Sequence, residues 1–240
     1  MKKIFCFLCA FFLLTSVGLV ALADDTFDYA KFFPQKTFEA INQSQGSFYV
    51  FTVGQTEGII LDPGKGLVLT VAHLFDYLVA PETSSKICLF IFKEEIFKVK
   101  ILKISQKFDL ALVQLEPKGL KGKSLIDLGA KKVVFQEKFS PFKEYYSFER
   151  EFSFSIFGIE KILELPFSAR IVGKKTIKSL KDGEMVYLYL DKNVKGGFSG
   201  AGVFNEEGEL LGMVDAIDGG YSLVMPTSEI RNFLESNNDK

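Results

Sequence analysis

One serine lies in a glycine-rich segment, and this is where the sequence first suggests chemistry. Residues 195–203 read Lys-Gly-Gly-Phe-Ser-Gly-Ala-Gly-Val, so that glycines flank Ser199 on both sides. Because glycine lacks a Cβ, the backbone there can adopt positive φ and approach another chain closely. A serine on such a turn can aim its Oγ and neighbouring N–H groups at one point, as an acyl-transfer nucleophile and its oxyanion hole require. An ordinary Gly/Ser turn between strands fits the same residues.

A single histidine and one aspartate could supply the other groups that acyl transfer needs. His73 follows the apolar segment 66–72, and its imidazole can carry protons near neutral pH. Asp109 directly precedes the apolar run 110–115, where a carboxylate is costly unless another group pairs with it. The Nδ1–H of His73 would be a suitable partner. A packed histidine and an aspartate that caps a turn are the simpler interpretations of the two residues taken alone.

The order of these residues along the chain restricts the possible folds. An α/β-hydrolase has its histidine after the serine, and no histidine follows Ser199. The subtilisin order could use Asp62 before His73, but that fold needs helices alternating with parallel strands. His73, Asp109 and Ser199 in an all-β chain match the chymotrypsin order.

The segments that must position these residues are short and strand-like throughout. Turn signals such as Gly54-Gln55 separate them, and we interpret residues 117–150 as the link between two halves. We expect a short helix over 37–42 and a closing helix over 228–235, with Thr227 or Ser228 as its N-cap. The predicted fold class is all-β, with two packed six-stranded antiparallel β-barrels and a C-terminal helix. The predicted strands are 47–53, 58–61, 66–70, 86–92, 96–104 and 111–115 in the first half, and 151–157, 167–172, 185–190, 202–204, 210–216 and 222–225 in the second.

The N-terminus has the pattern of a signal peptide. Two lysines precede an apolar run from Ile4 to about Val20, and Ala-Leu-Ala at 21–23 is followed by two aspartates. We therefore expect cleavage after residue 23 and a periplasmic or secreted protein; an uncut membrane anchor is the alternative. Cleavage would leave Cys88 as the single cysteine, which argues against disulfide, thiol or zinc chemistry.

Four segments resemble those of a known family. Residues 69–73, Leu-Thr-Val-Ala-His, resemble the Leu-Thr-Ala-Ala-His box of trypsin-like serine proteases, and Phe-Asp-Leu-Ala-Leu at 108–112 resembles their Asp-Leu-Ala-Leu box. Residues 197–202 resemble their Gly-Asn/Asp-Ser-Gly-Gly-Pro box. Residues 219–230 resemble the end of the protease domain in bacterial HtrA/Deg-type enzymes. The sequence ends soon after the closing helix, so we expect no PDZ domain.

The resemblance implies a Ser-His-Asp triad in a cleft between two β-barrels. Ser199 would be the nucleophile, His73 the general base and acid, and Asp109 the group that orients the imidazole. The N–H groups of Gly197 and Ser199 would form the oxyanion hole. The family also implies substrate-binding residues in the specificity pocket and along the adjacent strand, namely Asn193, Val214, Asp215 and Ala216.

These interpretations define the expected domains and partners. The expected divisions are a signal peptide (1–23), an N-terminal arm (24–46), an N-terminal β-barrel (47–130), and a C-terminal β-barrel with its closing helix (131–240). The expected partner is a polypeptide substrate, with unfolded protein as one candidate. We expect no cofactor, no metal, and no stable membrane anchor after cleavage. Because 29 basic residues nearly balance 30 acidic ones, we expect no nucleic acid partner either.

Three residues around the serine depart from the family pattern. Phe198 replaces Asn or Asp, Ala201 replaces Gly, and Gly202 replaces Pro. A turn with altered stiffness could point the 197 peptide the wrong way and collapse the oxyanion hole. The alternative to an exported serine endopeptidase is therefore a catalytically impaired pseudo-protease that binds peptides or proteins in the cell envelope.

Overall fold

The structure, a computed structural model, describes residues 32–50, 54–76, 88–155, 158–179, 183–194 and 197–236. The predicted signal peptide, residues 1–23, and residues 24–31 of the predicted arm lie outside this described part. No helix within it is long and apolar enough to cross a lipid bilayer.

Six antiparallel strands close the first barrel, in the order β1-β2-β3-β6-β5-β4 around it. Their sequences are rich in aromatic and β-branched residues, which suit a pleated surface with one face buried. Phe48, Phe90 and Phe97 are fully buried, and the rings of Phe48 and Phe90 are 4.9 Å apart. The strands are β1 (Gln45–Val50), β2 (Gly54–Asp62), β3 (Leu67–Val71), β4 (Cys88–Phe92), β5 (Glu95–Ser105) and β6 (Leu110–Leu115).

A second closed barrel follows the connecting residues 116–143, with the strand order β10-β11-β12-β9-β8-β7. Its interior core contains Tyr145, Ile171, Leu188 and Phe198. A larger apolar core fills the first barrel and extends across to second-barrel residues such as Phe148, so the two barrels pack directly on each other. The strands are β7 (Glu144–Ser155), β8 (Gly158–Ser179), β9 (Gly183–Leu190), β10 (Gly202–Phe204), β11 (Leu210–Asp218) and β12 (Tyr221–Pro226).

Three helices accompany the barrels in the described part: α1 (Gln35–Ser44), α2 (His73–Asp76) and α3 (Thr227–Glu235). The C-terminal helix α3 packs with Ile230 and Phe233 buried, and the Phe233 ring lies 6.1 Å from that of Phe108 in the first barrel. The expected N-cap was wrong. Pro226 occupies the N-cap position without a side-chain cap, while the hydroxyl of Thr227 donates to the carbonyl of Gln136.

The predicted fold class is confirmed, with six strands in each barrel and a closing helix, but two local predictions were wrong. Gly54 and Gln55 are not a turn; they extend β2 and pair with Val50 and Tyr49 of β1. Residues 144–150 belong to β7 and not to the link between the halves. This segment shows no polar–apolar period because most of it is buried, with one face in the second barrel and the other against the first.

Candidate active site

The pairing of β3 with β6 brings His73 and Asp109 together. Val71 is opposite Leu110, so the residues just after β3 lie beside the residue just before β6. The N–H of Ala72 donates to the carbonyl of Asp109 at 2.9 Å, and the N–H of His73 donates to Asp109 Oδ1 at 2.8 Å. His73 Nδ1 lies 2.5 Å from Asp109 Oδ2. The imidazole is therefore tied to Asp109 through both its backbone and its ring.

Asp109 is held in an uncommon backbone conformation that suits this contact. Its φ is +47°, in the left-handed region that aspartate tolerates better than most residues. Burial works against ionisation of Asp109, but hydrogen bonds from His73 and Asp215 and the charge of His73 hold its pKa below the usual range. An ionised Asp109 fixes the tautomer with the proton on Nδ1 and leaves Nε2 as the base.

The Asp215 carboxyl group adds a third ionisable group to this pair. The side chains of Asp215 and Asp109 are hydrogen-bonded to each other, and Asp215 is also hydrogen-bonded to Tyr187. Burial, followed by the neighbouring Asp109, raises the pKa of Asp215 to about 8. Polar atoms from His73, Asp109 and Asp215 all lie within 4.8 Å of one another.

The closest pair of atoms in this cluster has the geometry of a hydrogen bond. Two ligands of one tetrahedral zinc ion are about 3.3 Å apart, since each lies about 2.0 Å from the metal. The 2.5 Å separation of His73 Nδ1 and Asp109 Oδ2 is shorter than that. The two atoms therefore share a proton and do not coordinate a common ion.

Ser199 lies on a turn of the second barrel beside Asp215. Its Oγ lies 3.3 Å from the carbonyl oxygen of Asp215, the residue whose carboxyl group contacts Asp109. A hydrogen bond of this length is weak, so it holds the hydroxyl only loosely. The sequence-predicted His73, Asp109 and Ser199 are thus joined through one shared neighbour, Asp215.

Backbone hydrogen bonds fix the turn that carries Ser199. The N–H of Glu57 in β2 donates to the carbonyl of Ser199 at 2.8 Å, which links the turn to the first barrel. The N–H of Gly200 donates to the carbonyl of Val214 at 2.8 Å. Gly200 has φ +84°, and a Cβ there would lie 2.0 Å from the carbonyl oxygen of Glu57. Only glycine permits this close approach between the barrels.

The predicted oxyanion donors lie on this turn. Gly197 has φ +107°, which side chains rarely allow; Lys195 and Gly196 before it lie outside the described residues. None of the hydrogen bonds formed by the described residues uses the N–H of Gly197 or Ser199. Backbone donors close to a serine hydroxyl are what binding of a developing oxyanion requires.

The three departures from the family pattern have packing reasons. Phe198 is 5% exposed, and its ring lies 5.7 Å from that of Phe167 in the second-barrel core. Ala201 is fully buried in the same core. A Cβ at Gly202 would come within 2.4 Å of the Phe204 ring, so the bulky aromatic requires a residue without a side chain there. Phe198 and Ala201 therefore fill the barrel interior, and Gly202 leaves room for Phe204.

A buried polar network at the barrel interface contacts the turn that carries Ser199. Glu57 Oε1 accepts hydrogen bonds from Ser47 Oγ at 2.8 Å and from the N–H of Arg150 at 2.9 Å. Gln45 donates to Glu57 Oε2 at 3.2 Å and accepts from the N–H of Gly202 at 3.0 Å. Burial raises the pKa of Glu57 to about 7, although Arg150 and these donors favour its ionised form.

The predicted substrate-binding residues are placed differently from one another. Val214 is buried and contributes its backbone to the Ser199 turn. Ala216 is exposed on β11, and Asn193 is exposed between β9 and the turn. Asp215 directs its carboxyl group inward to Asp109 and its carbonyl to Ser199. A binding role for these residues stays a prediction.

Sequence reasoning missed Glu57, Tyr187 and the carboxyl group of Asp215. Asp215 did carry a signal, because a carboxylate inside the apolar run 210–217 needs a partner for the same reason as Asp109. No sequence signal marked Glu57, since a glutamate between Thr56 and Gly58 is equally compatible with a solvent-facing position on a strand.

Comparisons with known proteins agree with this architecture. No protein family model matches the sequence, and no curated protein sequence matches it either. The solved structure of Deg5 superposes with a TM-score of 0.64 at 14% identity, over 88% of this chain and 94% of that one. The inactive form of the Rv3671c protease from M. tuberculosis gives 0.63 at 15% identity, over 90% and 98%. Its active form gives 0.62 at 16%, over 85% and 86%. The likeness confirms the sequence resemblance at the level of fold: this chain has the two-barrel, chymotrypsin-like fold of trypsin-like serine proteases.

Proposed function

We propose that this protein is an exported serine endopeptidase that hydrolyses peptide bonds with Ser199, His73 and Asp109. The observation that carries the proposal is the connected set at the barrel interface. Ser199 Oγ contacts Asp215, Asp215 contacts Asp109, and Asp109 holds the His73 ring at 2.5 Å. Structural similarity to the Rv3671c protease supports the same activity.

The proposed mechanism begins with proton transfer from Ser199 to His73. The hydroxyl leaves the carbonyl of Asp215, its proton passes to Nε2, and its oxygen attacks the substrate carbonyl carbon. Ionised Asp109 stabilises the imidazolium through the Nδ1 hydrogen bond. The N–H groups of Gly197 and Ser199 stabilise the negative oxygen of the tetrahedral intermediate. His73 then gives the proton to the leaving amine.

The second half of the reaction reverses these roles. A water molecule attacks the acyl group on Ser199 while His73 accepts a proton from the water. Collapse of the second tetrahedral intermediate releases the acid product and returns the proton from His73 to Ser199 Oγ. The same two backbone N–H groups serve both intermediates, so the turn needs no rearrangement between the two steps.

We propose that the substrate binds along the exposed part of β11. An extended peptide can add to this edge at Ala216 by main-chain hydrogen bonds, while Val214 and Asp215 support the edge from inside. Asn193 would contribute to the pocket for the residue before the cleaved bond. Because no charged side chain is predicted for that pocket, uncharged, small or medium apolar residues should be preferred there.

Export to the periplasm or the medium would be directed by residues 1–23. Two N-terminal lysines, the apolar run that follows them, and Ala-Leu-Ala at 21–23 support this assignment. The mature protein would begin at Asp24 and meet polypeptide substrates outside the cytoplasm, unfolded proteins among them. N-terminal sequencing of the protein purified from its cell envelope or medium tests the cleavage; an N-terminus at Met1 would contradict it.

A covalent probe tests the proposed nucleophile directly. A fluorescent organophosphonate should label the folded protein at Ser199, and peptide mapping should locate the adduct there. Ser199→Ala should abolish labelling and lower peptide hydrolysis by about 10⁶-fold. Ser140→Ala, at a serine in the connecting segment, is the matched control and should label normally. A folded wild-type protein that binds peptide but is not labelled would instead favour the pseudo-protease that binds peptides or proteins.

A further inference from the structure

A β-bulge turns Asp215 toward Asp109. Along β11, Val214 pairs with Val224 and Ala216 pairs with Leu223, so Asp215 is the extra residue without a partner in the ladder. Bulges of this kind redirect one side chain out of the regular alternation. Asp215 is consequently 6% exposed, although its neighbour Ala216 faces solvent.

The Asp215 carboxyl group meets ionisable groups from several elements. Asp109 and His73 approach it from the first barrel, with polar atoms of all three residues within 4.8 Å. Tyr187 of β9 is hydrogen-bonded to it on the other side. Glu229 at the start of α3 acts on Tyr187 through its charge. Only the imidazole among these groups can carry positive charge.

Two hydrogen-bonded carboxyl groups at this distance must share one proton, because two ionised carboxylates would repel each other and neither could donate. Asp109 accepts hydrogen bonds from the N–H and from Nδ1 of His73, which favour its ionised form. Its side chain is also 25% exposed, whereas Asp215 is almost fully buried. The proton therefore resides on Asp215.

We propose that Asp215 is a positioning residue of the candidate triad, whose carboxylic acid donates its proton to ionised Asp109 and whose ionisation at alkaline pH limits activity. This inference rests on the proposed protease function. Asp109 then accepts three hydrogen bonds, from His73 N–H, from His73 Nδ1–H and from Asp215, and so keeps one orientation toward the imidazole.

Loss of the Asp215 proton reverses this effect. Proton release leaves two adjacent carboxylates, so that Asp109 loses a donor and is repelled from its position. The additional negative charge also stabilises the imidazolium form of His73 and so reduces the fraction of free base. The raised pKa of Asp215, about 8, places this loss on the alkaline side of neutrality. The rate should therefore rise as His73 deprotonates and fall again above about pH 8.

The test is the pH dependence of kcat/KM for peptide hydrolysis, from about pH 5 to about pH 10, in four proteins. Wild type should give a bell-shaped curve. Asp215→Asn keeps a donor but has no titratable proton, so the alkaline fall should disappear. Tyr187→Phe removes a donor that favours ionised Asp215, so the fall should move to higher pH. Asp215→Ala removes the donor altogether and should lose about 10- to 100-fold below about pH 8, where Asp215 of the wild type is protonated.

An alkaline fall that persists unchanged in Asp215→Asn would overturn the inference. Thermal unfolding at neutral pH shows whether each variant is folded, and Asp215→Ser replaces Asp215→Ala if the latter is not. A purely structural role would lower the rate of Asp215→Asn and leave the shape of its pH profile unchanged.

A second readout separates this inference from the proposed function. Infrared difference spectroscopy should detect the C=O band of a protonated carboxylic acid that disappears as pH is raised through about 8. The band should be absent in Asp215→Asn and present in Glu57→Gln, the control for the other buried acid. Absence of hydrolysis in wild type would overturn the proposed function, whereas a band unaffected by Asp215→Asn would overturn the proton assignment whatever the activity.

Discussion

The two barrels hold their parts of the candidate site in different ways. His73 and Asp109 are joined by hydrogen bonds made entirely within the first barrel. Ser199 lies on a turn of the second barrel, but its carbonyl is bound by the N–H of Glu57 in the first. The contact between the base and its acid is therefore a self-contained unit of the first barrel, which Asp215 of the second barrel supports from outside, whereas the nucleophile depends directly on the contact between barrels. Damage to the interface should affect Ser199 more than His73.

The largest effect is expected from the self-contained unit itself. Asp109→Asn keeps the size of the side chain but presents an amide to His73 Nδ1, which favours the wrong tautomer. We expect a loss of about 10⁴-fold in kcat with little change in folding. Asp127→Asn, at an exposed turn in the connecting segment where Asp127 binds Ser124, is the control and should keep wild-type rates. A loss of less than tenfold in Asp109→Asn would remove Asp109 from the triad.

The interface is tested most sharply at Gly200. In Gly200→Ala the new Cβ would lie 2.0 Å from the Glu57 carbonyl oxygen, so the turn must leave the first barrel. We expect a loss of about 10²–10³ in kcat, comparable to the loss of an oxyanion donor. Gly122→Ala is the matched control, because its φ of +87° is close to the +84° of Gly200 but no atom lies within 4 Å. Equal losses in both variants would show that backbone strain, and not the contact between barrels, matters.

The ionisation of Glu57, at the interface between the barrels, should make the stability of the protein depend on pH. Its pKa in the folded protein, about 7, lies above the ordinary value of 4.5, so the folded state binds its proton more tightly than the unfolded state does. The free energy of unfolding should then be highest below about pH 4.5 and fall by up to about 3 kcal/mol as pH rises to about 7. Glu57→Gln should remove this contribution in urea titrations and leave the fall due to Asp215, whose pKa is raised by a larger amount. An unchanged slope would contradict the assignment.

A smaller effect should follow from loss of one hydrogen bond at the interface. Thr70 Oγ1 donates to the Glu57 carbonyl at 2.8 Å, and Thr37 Oγ1 donates to the Asn205 carbonyl at 2.7 Å, far from the site. Both threonines are fully buried. Thr70→Val and Thr37→Val should each lower the free energy of unfolding by about 1 kcal/mol. Only Thr70→Val should also lower kcat, by a few-fold; equal activity of the two variants would count against coupling through Glu57.

The self-contained unit was also the part most open to prediction. The sequence predicted the pairing of His73 with Asp109 from the chemistry of an imidazole beside a carboxylate and from the family resemblance. The structure adds that the strands beside the two residues are neighbours. The all-β pattern and the six strands per half were likewise readable from turns and apolar runs. Gly202 and Phe198 were identified as departures, but their packing against Phe204 and Phe167 depends on the barrel interior and could not be read from the sequence.

The polar contacts at the barrel interface could not be predicted from the sequence, for a physical reason. Glu57, Gln45 and Arg150 interact only after two barrels distant in sequence have packed together. Their residue types are those of ordinary exposed positions, and no local pattern distinguishes them. The inward turn of Asp215 depends on a bulge, which adds one residue to a strand and changes no residue type.

The hydrogen bond from Glu57 to the Ser199 carbonyl has a consequence during biosynthesis. The first barrel, which carries the base and its acid, precedes the second barrel along the chain. The nucleophile acquires its shape only at the last step, when the finished halves dock. In the proposed protease, the nucleophile is therefore in place only once both barrels have folded and docked.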